Sequence, residues 1–249
     1  MKTNYFEDYV KEILEIPKVD FEGLKVEVIK EMVLALELIL ERYPALKKSI
    51  CAIGPSSYIT NQINIVFNSK KQNIIYYLDD PSSDNMVFSL ASFGLGKSKK
   101  LIYVGIAYGK KLIGNSIDGL NRMAEYDVSK GFHPKHCTNF KSYIYHEIGH
   151  ILYHILRLED DRKFMEMIEL VSNGYKNISS DISKYAESNN SELVAEAFAE
   201  YIMCPTANKL VNSIGKYIDE KYKRYEHSYI FNINKRYKIP LNECKRKKL

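Results

Sequence analysis

The sequence predicts an α+β chain, and three observations predict it. An apolar stripe at helical spacing marks the first part. Short runs rich in Ile, Val, Tyr and Phe, broken by turn residues, fill the middle. Helical patterns then return and run towards the end. The stripe is Leu24, Val28, Met32, Leu36 and Ile39, on a helix that Asp20 can cap and that stops before Pro44. The strands are expected at Ile63–Phe67, Asn73–Leu78, Met86–Ala91 and Leu101–Tyr108. Asn68-Ser69-Lys70, Asp79-Asp80-Pro81-Ser82 and Gly94-Leu95-Gly96 separate them as turns. A loop is expected from Gly114 to Thr138. Further helices are expected from Thr138 or Asn139 past Leu156, from Arg162 to Ser172, and from Ser191 to just before Pro205. One or two more fall in the basic C-terminal part.

The 249 residues suit one large domain or two small ones. Cys51, Cys137, Cys204 and Cys244 are widely separated and form no C-x-x-C pair, so they read as free thiols of a reducing compartment. The N-terminus lacks a basic-then-apolar signal pattern, and the apolar run Met32–Leu40 is too short to cross a bilayer. The expectation is a soluble, cytosolic protein without membrane partners. The net charge is +5, much of it in Lys245, Arg246, Lys247 and Lys248. This run is short and holds no aromatic residue, which favours a solvated tail over a nucleic-acid contact.

The chemistry lies in His146-Glu147-Ile148-Gly149-His150, an H-E-x-x-H pattern. On a helix, positions i and i+4 share a face, so both imidazoles can reach one metal ion. Glu147 beside them can take a proton from water. Two histidines leave room for a third protein ligand and for that water, as a catalytic zinc requires. Ile144, Ile148, Ile151, Leu152 and Ile155 form an apolar stripe that supports the helix. Gly149 costs roughly 1 kcal/mol of helix stability against Ala, and close approach of another backbone best explains it.

The third ligand has to come from elsewhere. A metzincin would place Gly and His where this chain has Tyr153 and Leu156, so that class is excluded. His154 sits one turn further on and is expected to pack rather than bind. A gluzincin takes a Glu from a later helix. Glu192, Glu196 and Glu200 are spaced by four on one face of the segment Ser191–Tyr201. Spacing alone leaves open which of them binds metal, and a solvated acidic face has the same pattern.

The stretches His146–His150 and Tyr185–Phe198 resemble the catalytic domain of anthrax lethal factor, the related clostridial Pro-Pro endopeptidases and the metallopeptidase domains of phage minor head proteins. The resemblance covers Phe132 to Tyr201, and the expected organisation is a single zincin-like domain over 1–249, with a helical and β part over 1–130 and an active-site helical part over 131–249. The resemblance implies His146, His150 and Glu192 as zinc ligands, Glu147 as general base and Tyr185 as donor to the oxyanion. Glu196 would orient a ligand histidine. Gly131-Phe132-His133-Pro134 resembles the phage-type members more loosely, in keeping with a phage or other mobile element as source. The clostridial enzymes are secreted, so their substrate preference is not carried over. The segment Ala195–Pro205 is also similar to the ImmA/IrrE-like peptidases that cleave repressors, although Glu196 stands where they have Asn.

The expected function is therefore a zinc metalloendopeptidase acting on a peptide or protein. The strand Leu101–Tyr108 is the candidate edge for an extended substrate. Ala91–Ser98 fits a relaxed P-loop, but a β-rich run follows where a phosphate site needs a helix, so a hairpin is expected. A non-catalytic module with structural zinc has no need for Glu147.

Overall fold

The structure is a computed structural model describing residues 3–62, 74–78, 88–95, 100–174 and 181–237. Its architecture is α+β, largely helical around one small sheet. Helix α1 (Thr3–Glu12) leads into strand β1 (Lys18–Val19) and helix α2 (Val26–Arg42). Strand β2 (Ile50–Pro55), helix α3 (56–62) and strands β3 (Ile74–Leu78), β4 (Phe88–Leu95) and β5 (Lys100–Tyr108) follow. The rest is helical: α4 (Ile117–Ser129), α5 (Lys141–Ile155), α6 (Arg162–Gly174), α7 (Asn190–Met203) and α8 (Lys209–Tyr237).

The sheet order is β1-β2-β5-β4-β3. Strands β1, β2 and β5 are parallel, and β4 runs antiparallel to both of its neighbours. The strand expected as a substrate edge is thus internal: β5 is hydrogen-bonded to β2 on one side and β4 on the other. Among the described residues the sheet ends at β1 and β3. Gly94 and Leu95 belong to β4 and pair with Leu101 and Lys100, so this segment forms a hairpin and no helix follows it. That removes the P-loop reading. The strand expected at Ile63–Phe67 and the basic run at Lys245–Lys248 lie outside the described residues.

Two further expectations are corrected. Asp20 does not cap α2; its carboxylate accepts from Glu22 N at 2.8 Å in a local turn, and Gly23 at φ +80 keeps the chain out of helix until Val26. The expected loop after Gly114 contains α4, capped by Ser116, whose hydroxyl accepts from Gly119 N. Only Leu120 and Ala124 of α4 are buried, too few apolar positions to give a helical period.

One apolar core runs from Phe6 to Tyr222. Helix α5 is central to it, packing on α2, β4 and β5 and lying along α7. Phe140, at the start of α5, meets Phe88 of β4 with ring centroids 5.7 Å apart. The α5–α7 approach depends on Gly149. A Cβ there would come within 2.7 Å of the Ala195 Cα, so only glycine lets the two backbones close up. No helix of the described residues is long and apolar enough to cross a membrane.

Candidate metal centre

Helix α5 starts where Asn139 Oδ1 accepts from Lys141 N, and it carries His146 and His150 on one face. Helix α7 starts at Asn189, whose side chain accepts from Glu192 N at 3.0 Å. Glu192 therefore sits in the first turn, where the unpaired N–H groups favour a negative charge. The two helices lie close at Gly149, and this brings Glu192 to the histidines.

Three donor atoms converge. His146 Nε2 and His150 Nε2 are 3.0 Å apart. Glu192 Oε2 lies 3.2 Å from the first and 3.3 Å from the second. Tetrahedral zinc with bonds of about 2.0–2.2 Å sets its donors about 3.3–3.6 Å apart, so this triangle is close to one tetrahedral face. Among the described residues it is the one cluster of this kind. Glu192 Oε2 is also the one buried side-chain N or O atom among them that accepts no hydrogen bond. A buried acceptor without a donor is costly, and a cation among these three atoms would satisfy it. The residues present could hold a metal ion, and a His₂Glu donor set is compatible with several divalent metals, zinc among them.

The far nitrogens are held as well. His146 Nδ1 donates to Glu196 Oε1 at 2.6 Å, which leaves Nε2 as the nitrogen facing the triangle. His150 Nδ1 is 2.9 Å from Ser191 Oγ. Burial opposes a charge on His146, but its contacts with Glu192 and Glu196 outweigh burial, and Glu147 adds to them. Its affinity for a proton is thus raised well above that of free imidazole. Burial likewise opposes ionised Glu192, and both histidines more than offset it, holding its carboxyl down to about 2.

The acidic stripe is buried rather than solvated: Glu192 is 8% exposed, Glu196 0% and Glu200 4%. Each carboxylate has its own partners. Glu196 also accepts from His133 Nδ1 at 3.1 Å. Glu200 lies 2.6 Å from His136 Nδ1 and accepts from His136 N at 3.1 Å. Glu147 is buried next to His146. Tyr185 lies on a short 3₁₀ turn (Tyr185–Glu187), partly exposed, with its ring stacked on His146 at 5.8 Å between centroids. His154 stays outside the triangle, 3.8 Å from Glu159.

Of the six expected site residues, His146, His150, Glu192, Glu196 and Tyr185 are linked by contacts, and Glu147 is buried on the same helix as the histidines. Ser191 and His136 carry no expected role, His133 enters the expectations only within Gly131–Pro134, and Glu200 only as one of three glutamates at ligand spacing. Ser191 precedes a ligand directly, and His133 and His136 lie within ten residues of the α5 start. Those are the signals that could have drawn attention to them. Comparison of the chain with family models, with curated proteins and with solved structures gave no match.

Proposed function

We propose that the chain is a zinc-dependent metalloendopeptidase of the gluzincin type, on a zincin-like fold. The supporting observation is the buried His146–His150–Glu192 triangle with Glu147 on the next position of the same helix. Structural zinc sites close with four protein ligands. Three ligands and an adjacent carboxylate suit hydrolysis instead.

When bound, zinc supplies Lewis acidity: it polarises a carbonyl and lowers the pKa of water to about 7. The protein residues do the rest. His146, His150 and Glu192 hold the ion. Glu147 takes the proton of the attacking water and hands it to the leaving amine. Tyr185, partly exposed and stacked on His146, donates its hydroxyl to the developing oxyanion, a contact worth about 3 kcal/mol. Glu196 and Ser191 keep the imidazoles in the tautomer that ligation needs.

The test is cleavage of a mixed peptide library, read by mass spectrometry, with matched zinc analysis. Wild type is expected to cut, and a chelator to stop it. Glu147→Ala should retain zinc yet lose about 10²–10⁴ in rate. If wild type holds zinc but cuts neither the library nor a folded protein, a zinc-bearing binding module replaces the enzyme reading. Cutting confined to a folded repressor favours an ImmA/IrrE-like regulatory peptidase.

A further inference from the structure

We propose that His133 is a positioning residue for the metal ligand His146, acting through Glu196. The inference rests on the metal-centre reading. Glu196 is fully buried on α7, and an ionised carboxylate only accepts. Its Oε1 receives two ring nitrogens, His146 Nδ1 at 2.6 Å and His133 Nδ1 at 3.1 Å. Both imidazoles must carry their proton on Nδ1 to make these bonds. With Nδ1 engaged, Nε2 is the nitrogen of His146 left for a metal, which displaces any proton there on binding. His133 fixes the carboxylate from the other side, so that Oε1 cannot swing away from His146. Without it, the buried carboxylate would rest on the His146 N–H alone.

His133 is itself held. Its ring packs against Tyr143, with centroids 4.7 Å apart, and Tyr143 donates to Asp127 at 2.6 Å. Its backbone N donates to Asp127 O. A chain of contacts therefore runs from the end of α4 through Tyr143, His133 and Glu196 to His146. His133 is not a ligand, since the converging donors belong to His146, His150 and Glu192.

The rival explanation is that His133 only anchors the segment before α5 to α7. The structure holds a control for that. Three residues on, His136 makes the same kind of contact with Glu200, whose contacts are to His136 and Cys137 and not to a ligand histidine. The experiment measures zinc affinity of the full chain by competition with a chromophoric chelator, and the visible spectrum of the cobalt-loaded protein. His133→Leu is expected to weaken zinc by about tenfold and alter the cobalt bands. His133→Asn places an amide N–H where Nδ1 was and should restore affinity to within about twofold. His136→Leu should leave both readouts at wild type. In a Glu196→Gln background, His133→Leu should add little. Wild-type affinity in His133→Leu, or an equal loss in His136→Leu, would overturn the proposal. Wild type that binds neither zinc nor cobalt would instead remove the metal reading, and this inference with it.

Discussion

Two sites in this molecule gather polar partners around carboxylates and differ in what they leave open. At the end of α2, Asp219 of α8 receives Arg42 at 2.6 Å, the Tyr43 hydroxyl at 2.5 Å and the Tyr201 hydroxyl at 2.8 Å. Every carboxylate oxygen there is engaged. Gly215 admits the Tyr201 ring, which would lie 2.2 Å from a Cβ at that position. The α5–α7 cluster also joins carboxylates to cationic or polar partners, but one buried oxygen of Glu192 accepts nothing and faces two imidazole nitrogens. A closed cluster ties helices together. A cluster with a buried, converging, unsatisfied edge is a place to bind a cation.

Substitutions can break this contrast from either side. The largest effect is expected at Glu192→Ala. Zinc affinity should fall by more than about 100-fold, since loss of an orienting partner alone costs about 10–100-fold. The metal-free protein should lose less stability than at Asp219, because the contacts removed are those to His146 and His150 and one carboxylate oxygen accepts no hydrogen bond. Calorimetric zinc titration and a thermal melt check the two halves. Asp219→Ala should do the reverse. It should cost about 2–3 kcal/mol of unfolding free energy, measured by urea denaturation, and leave zinc affinity unchanged. Equal effects of the two variants on both readouts would erase the distinction.

Gly149→Ala sharpens the same comparison at lower amplitude. The added methyl meets the Ala195 backbone, which cannot rotate aside, so α5 and α7 must separate. The expected cost is about 1–3 kcal/mol, together with weaker zinc binding because Glu192 moves off the histidines. A stable variant with wild-type affinity would show that the helices have slack.

The smallest expected effect is on pH. Burial disfavours charge on His146, yet Glu192 and Glu196 raise its proton affinity above that of free imidazole. In the metal-free protein this proton persists above about pH 6.5, and zinc must displace it. Affinity should therefore rise with pH across neutrality and fall as the solution is acidified. The Asp219 cluster lacks this feature. Burial, reinforced by Asp219, pushes the Tyr43 phenol well up, so its hydroxyl stays a donor throughout. Zinc titrations at several pH values check the slope, and a flat profile would mean that His146 carries no displaceable proton.

Local signals carried much of this site. The His146–His150 spacing, the Gly149 oddity and the acid repeat from Glu192 to Glu200 are all properties of single helices. A helix places i and i+4 together regardless of what surrounds it. Signals that depend on periodicity failed where few positions are buried, as in α4 with Leu120 and Ala124, or where a strand is very short, as in β1. They also failed for β5. A strand's own residues do not say whether it is flanked on one side or two, so its internal place in the sheet was not legible.

The helical display of the motif and the residue types able to hold a metal were already present in the order of amino acids. The division of labour among three equivalent-looking glutamates came from packing. Glu192 meets both histidines, Glu196 links His146 to His133, and Glu200 secures His136. The reason is physical. Residues four apart share a face, but α7 lies along α5 at a close approach fixed by Gly149, so each turn of α7 faces a different neighbour.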